Sequence, residues 1–278
     1  MGFVSRHRAR DLKLPNKRKK LLDAIENDLS SDDNVLAFFY GGSVGNKNTD
    51  DYSDIDLRIV IKPNKIKEYV LNKKNRAKNW GNVLYYENLD PYSIYTIAHY
   101  DCFVKVDIFY FSPDDIQPSI WLKNIKIIKD NEGLMTDILK QSMVLSYKPS
   151  VDEFDNWRTK FFAYLHEAYR RAMRQEYYYA LDCIDKLRLS IVTAWYMHLG
   201  IQPNTFGDWA KYEDDRSELR EWQKSLLKSW ECGRNTEEII NVMKSIVLEF
   251  KNLHSSLCEL LEIEEDLKWV NKIVSMAL

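Results

Sequence analysis

The stretch from Val35 to Ile61, VLAFFYGGSVGNKNTDDYSDIDLRIVI, limits what this chain can fold into more than any other. Val35 to Tyr40 is an apolar run rich in aromatic and branched side chains, which predicts a buried strand. Gly41 and Gly42 break it, Ser43, Val44 and Gly45 follow, and a polar connection from Asn46 to Ser53 leads to a second predicted strand, Asp54 to Ile61. Side chains alternate along a strand, so Asp54, Asp56 and Arg58 share one face while Ile55, Leu57 and Ile59 take the other. Neighbouring carboxylates repel, and a fold accepts that cost most readily where a divalent cation sits between them. The glycine-flanked turn offers backbone N–H groups and the Ser43 hydroxyl to a phosphate. One turn and two strands thus spell out a metal–phosphate site.

A third carboxylate follows later. In Cys102 to Tyr110, Asp107 sits in an alternating run that turns Val104, Val106 and Ile108 one way and Lys105, Asp107 and Phe109 the other. GGSVG followed by SDIDL, with a later strand aspartate, resembles the signature of the DNA polymerase β-like nucleotidyltransferase superfamily. The resemblance covers roughly the first half of the chain. It implies that Asp54, Asp56 and Asp107 are catalytic, holding one or two Mg²⁺ ions, with Asp107 completing the second metal site or taking a proton. It also implies that Gly42 and Ser43 position the phosphates of ATP or another nucleoside triphosphate, with Arg58 as a further phosphate ligand. Purely structural explanations stand beside these. Asp54 and Asp56 could discourage pairing at a strand edge, Asp107 could be an ion-pair partner of Arg58 or Lys105, and the glycines could simply end a strand. The order and spacing of all the parts together favour a site.

Composition sets the outer bounds. At 278 residues the chain suffices for one large domain or two ordinary ones, and 45% apolar with 29% charged residues is normal for a globular protein with a full core. A net charge of −2 speaks against a protein whose main task is gripping a nucleic-acid backbone. Cys102, Cys183, Cys232 and Cys258 form no CxxC and have no histidine at ligand spacing, so they read as free thiols in a reducing cytoplasm. No apolar run is long enough to span a bilayer.

Arg6 to Lys20 is the one basic cluster. It leads into an amphipathic helix with Leu21, Leu22, Ile25 and Leu29 as its apolar stripe, which favours a solvated helix face over a nucleic-acid arm. After Ile61 the pattern predicts a charged helix over 65–78, strands near 80–87 and 94–99, and an N-cap at Ser112 with Pro113 behind it. From Val151 on, helical periodicity takes over. Phe161, Leu165, Ala168 and Ala172 share a face. Ala180, Ile184, Leu187, Ile191, Ala194 and His198 form a second stripe, and Ile239, Met243, Ile246, Phe250, Leu253, Leu257 and Leu260 a third.

The expected fold class is therefore α+β: a small mixed sheet flanked by helices over 1–149, forming a nucleotidyltransferase catalytic domain, then a helical bundle over 150–278 that binds the acceptor. The bundle's size is similar to that of the aminoglycoside and lincosamide nucleotidyltransferases. The resemblance implies Mg²⁺-dependent transfer of a nucleoside monophosphate to a hydroxyl of a small acceptor, with Glu167 as a candidate base and Lys186 and Arg188 as candidate phosphate ligands. Aromatic and acidic residues of the second half, among them Tyr164, Trp209, Glu213, Asp214 and Asp215, suit a polyhydroxylated or cationic acceptor. Two other classes remain: an enzyme of the same core acting on RNA or protein, supported by the basic segment alone, and a non-catalytic nucleotide-binding protein. A helix stripe could also serve a homodimer.

Overall fold

The computed structural model describes residues 6–213 and 215–278, so Asp214 lies outside the described residues. The chain divides into two compact units, one ending at Leu145 and the other beginning at Ser146. In the first, α1 (Arg8–Asp11) and α2 (Leu14–Ser30) precede β1 (Val35–Tyr40), α3 (Gly42–Asn46), β2 (Ile55–Ile61), α4 (Ile66–Lys78), β3 (Val83–Tyr86), β4 (Tyr95–Tyr100) and β5 (Lys105–Phe111). Two 3-10 turns, Pro113–Asp115 and Ile120–Leu122, then lead to β6 (Lys126–Asp130) and α5 (Leu134–Met143).

The strands form one mixed sheet in the order β3-β4-β5-β2-β1-β6. Among the described residues only β2 and β5 pair in parallel; the other neighbours run antiparallel. A parallel pair needs a crossover, and α4 with the β3–β4 hairpin supplies it. One face of the sheet packs Phe38, Tyr40, Leu57, Ile59 and Ile108 against Leu21, Ile25 and Leu29 of α2 and Ala77 of α4. On the opposite face Ala37, Phe39 and Val60 are covered by Ile116, Met135 and Ile138. That cover reaches only part of the face, and Asp56, Arg58 and Asp107 occupy the half-buried remainder.

Two buried cations fix the loops. Lys73, 1% exposed, donates to the carbonyls of Asp90, Pro91 and Ser93. Arg18, 5% exposed, donates to the carbonyls of Asp51 at 3.4 Å and Ser53 at 3.0 Å. The basic segment was expected on a solvated helix face, and Arg18 departs from that by turning inward to hold the loop before β2. Two further elements, β6 and α5, were not expected; Lys126-Ile-Ile-Lys-Asp is short and charged at both ends, and it becomes a strand because the free edge of β1 takes its hydrogen bonds. The pattern at Ser112 produces a single 3-10 turn with a capping box rather than a longer helix.

The second unit is helical, with α6 (Val151–Met173), α7 (Tyr177–His198), α8 (Glu221–Ser229), α9 (Thr236–Leu260) and α10 (Leu267–Val274). Ser150 and Glu153 cap α6 reciprocally, satisfying N–H groups that a helix start leaves open. The three expected stripes meet in one core, where Phe161 stacks on Phe250 with ring centroids 3.9 Å apart. His198 and Leu260, the last members of their stripes, are exposed at the helix ends. Among the described residues no helix is long and apolar enough to cross a membrane.

Candidate active site

The parallel pairing of β2 with β5 sets Asp56 directly opposite Asp107. Both project from the same face by alternation, and Asp54 stands one step before β2 begins. The end of β1 delivers the glycine turn to the same place, where the Gly41 N–H donates to the Asp56 carbonyl at 3.0 Å. Gly42 has φ +51, and a Cβ built on it would lie 1.8 Å from Asp56 Oδ2. Only glycine lets the backbone approach that carboxylate.

Two cations hold the carboxylates. Lys105 Nζ lies 3.0 Å from Asp54 Oδ2 and 3.2 Å from Asp107 Oδ1. Its hydrogen bond to Asp107 is directed at Oδ2, also at 3.2 Å, which leaves the buried Oδ1 with a charge neighbour but no hydrogen bond. Arg58 Nη2 is 3.7 Å from Asp56 Oδ1, and its guanidinium lies 4.0 Å over the Phe109 ring. Burial raises the Asp107 carboxyl above its ordinary range; Lys105 pulls it down, and Asp54 and Asp56 add to the rise. Burial works to lower Lys105, but Asp107 and Asp54 outweigh it and hold the ammonium above its usual range. For Arg58 burial wins over the three aspartates and lowers it. Asp107 is thus ion-paired with Lys105, as one of the structural explanations had it, while remaining beside the other two aspartates.

Among the described residues no three carboxylate, histidine or cysteine side chains converge into a ready-made metal cage. Lys105 occupies the space between two of the donors. In chemistry the donors nevertheless suit a hard divalent cation, since Asp54 and Asp56 are carboxylates two residues apart with Asp107 opposite Asp56. The turn fits a phosphate in part. Ser43 is 6% exposed and its hydroxyl is buried without a partner, so it is not the open ligand the sequence suggested. Gly41 and Gly42, with Arg58, instead line a cavity of about 410 Å³ together with Phe39, Phe111 and Trp121.

Glu167 and Lys186 belong to the second unit, and both are engaged on their own helices. Glu167 accepts from Arg171 at 2.5 Å and from Arg170 at 3.2 Å. The Arg171 hydrogen bond, foremost, keeps its carboxyl below the usual range. Lys186 bonds Asp182 at 2.5 Å, and Arg188 donates to the Trp230 carbonyl. His99 stacks on Tyr85 and contacts Glu87 at 2.6 Å, a structural arrangement. Sequence reasoning missed the Lys105–Asp54 contact, because alternation shows which residues share a face but not which long side chain will bridge neighbouring strands. It also missed Phe109 beneath Arg58, although two residues on paired strands at matching positions, Arg58 and Phe109, could have suggested it.

Among solved structures the chain is similar to an aminoglycoside 6-adenyltransferase from Bacillus subtilis, at 11% identity and a TM-score of 0.45, over 94% of this chain and 97% of that one. It is also similar to a nucleotidyltransferase-like protein from Exiguobacterium sibiricum 255-15, at 10% identity and a TM-score of 0.41, over 88% and 76% of the two chains. No curated protein sequence matches it significantly. The sequence model of the streptomycin adenylyltransferase family matches residues 16–276. That match takes in the glycine turn and all three aspartates, and the chain belongs to the streptomycin adenylyltransferase family, as an adenylyltransferase enzyme.

Proposed function

We propose that the protein transfers AMP from ATP to a hydroxyl group of an aminoglycoside, with Mg²⁺ held by Asp54 and Asp56 and the acceptor's proton taken by Asp107. The observation that supports it best is the in-register placement of Asp56 and Asp107 on adjacent parallel strands, beside a glycine that only a missing side chain keeps clear of Asp56. When bound, the metal would neutralise the triphosphate and stabilise charge on the attacking and leaving oxygens.

The chain's own groups do the rest. The Gly41–Gly42 backbone and Arg58 bind and orient the β- and γ-phosphates, and the Arg58 guanidinium is kept in place by the Phe109 ring. The acceptor oxygen attacks the α-phosphorus, the bond from that phosphorus to the β-bridging oxygen breaks, and pyrophosphate leaves. We give the acceptor's proton to Asp107 Oδ1, which has no hydrogen bond to lose and belongs to a carboxyl raised by burial. Glu167 is the poorer base, since an arginine already binds each of its oxygens. Lys186 is already engaged by Asp182 on its own helix.

The test is mass spectrometry of streptomycin and a panel of aminoglycosides and lincosamides after incubation with the protein, Mg²⁺ and each nucleoside triphosphate. One added AMP is expected, with ATP as donor. Asp56→Asn should lower the rate at least about a hundredfold while the protein stays folded. Full activity in that variant would remove Asp56 from the site.

A further inference from the structure

We infer that Lys105 is a built-in counter-ion which the metal must displace from Asp54, so that metal binding exchanges one cation for another on the same carboxylate. This rests on the metal placement proposed above. In the parallel ladder Ile55 pairs with Val106 and Asp56 with Asp107. The same register continued one step back sets Lys105 beside Asp54. Lys105 and Asp107 are two apart on β5, so their side chains share the face that carries Asp54 and Asp56.

From there the ammonium reaches both acids. Its Nζ lies 3.0 Å from Asp54 Oδ2 and 3.2 Å from each oxygen of Asp107. It spans carboxylates from different stretches of chain, as a bridging ion does, with charge-assisted hydrogen bonds in place of coordination. A divalent cation taking Asp54 therefore meets a positive charge already seated on that carboxylate. In a half-buried site such charges repel more strongly than in water, so the two do not share Asp54. The other cation is fixed differently. Arg58 stands 3.7 Å from Asp56 Oδ1, and its guanidinium lies 4.0 Å over the Phe109 ring, which anchors it apart from Asp54.

Lys105 can withdraw without unmaking the fold. Its side chain is 32% exposed, and with Asp51, Asp54 and Tyr85 it lines a cavity of about 580 Å³ into which its flexible stem can swing. Lysine suits such a task. A compact charge on a long stem leaves as a unit, whereas an arginine fork would grip a carboxylate through two parallel hydrogen bonds. While the metal is away, the ammonium offsets the repulsion among Asp54, Asp56 and Asp107 and keeps the carboxylates in place. Metal affinity is then set by the difference between two cations on Asp54, and not by the carboxylates alone.

The experiment measures Mn²⁺ binding to the full chain, stripped of metal and without nucleotide, from the loss of the free-ion electron paramagnetic resonance signal. Lys105→Met removes the charge and keeps an unbranched side chain, while Lys105→Arg keeps the charge. Lys105→Met should bind Mn²⁺ at least about tenfold tighter than the unaltered protein, and Lys105→Arg no tighter. Adding Asp54→Asn to Lys105→Met should abolish the gain. Mn²⁺ should also raise the melting temperature of Lys105→Met more than that of the unaltered protein. Lys105→Gln carries the same comparison if Lys105→Met does not fold. Unchanged or weaker Mn²⁺ binding in the neutral variants overturns the inference, as does a gain that survives Asp54→Asn. Mn²⁺ bound by neither protein overturns the metal placement together with it. The AMP adduct assay keeps the two readings apart: adducts from the unaltered protein beside an unchanged Mn²⁺ affinity in Lys105→Met sink this inference alone. Absence of adducts sinks the transfer reaction, while the Mn²⁺ comparison still decides which cation holds Asp54.

Discussion

A single missing methyl group decides the geometry at Gly42. A Cβ there would meet Asp56 Oδ2 at 1.8 Å, and the residue sits at φ +51. Gly42→Ala must therefore push either the turn or the carboxylate aside, and a displacement of about 1 Å costs roughly a hundredfold in rate. Steady-state adenylyl transfer by this variant should fall by that much with the circular dichroism spectrum unchanged. Asp107 carries a different consequence. Its carboxyl is raised on folding, chiefly by burial, so its ionisation works against the fold. The stability it contributes is present at low pH and is lost as pH climbs through its raised value. Asp107→Asn should thus be inactive yet melt at a higher temperature than the unaltered protein near pH 8, an advantage that vanishes below about pH 4. Thermal melts across pH check it. Asp54 and Asp56 were legible as neighbours because alternation puts them on one face, whereas Asp107 joins them through the parallel pairing of β2 with β5. The burial of Ser43 was not, since a Gly-Ser-Val-Gly run reads as an open turn until α3 tucks the serine beneath it.

Among the elements, the loop before β2 depends on α2. Arg18 holds the Asp51 and Ser53 carbonyls from beneath, just ahead of Asp54. Arg18→Ala leaves those acceptors without their charged donor, a loss of about 1.5–3 kcal/mol. Faster hydrogen exchange over 48–54 is expected, with a lower rate of transfer. This clamp escaped sequence reading because Arg18 sits among lysines that do face water; helical periodicity gives an angle on the helix, and only the neighbouring loop reveals which basic residue turns inward. β1 was readable as an unbroken apolar run, and β2 and β5 from their long alternation. β6 was not, because five residues with lysines near both ends carry too little pattern, and tertiary pairing with β1 makes the strand.

At the scale of the whole molecule, the sheet unit and the helical unit each bury their own aromatic and aliphatic core. Neither core needs a metal to close. The charges that a cation would meet are already countered by Lys105 and Arg58. Treatment with EDTA should therefore stop adenylyl transfer while shifting the melting temperature by no more than about 2 °C, and calorimetry beside the adduct assay checks both halves. The change from strand patterns to helical stripes, which separates the two halves, was visible in the sequence because the hydrophobic period itself switches from two to near four residues.

The pairing of Asp56 with Asp107 across β2 and β5 has a consequence for what this gene can tolerate. Exchanging one buried aliphatic for another along either strand leaves both acids where they are. Adding or deleting one codon inside either strand inverts every side chain beyond it and sends one acid into the greasy interior. Such a chain can drift far in spelling, but in these two segments it cannot change its count.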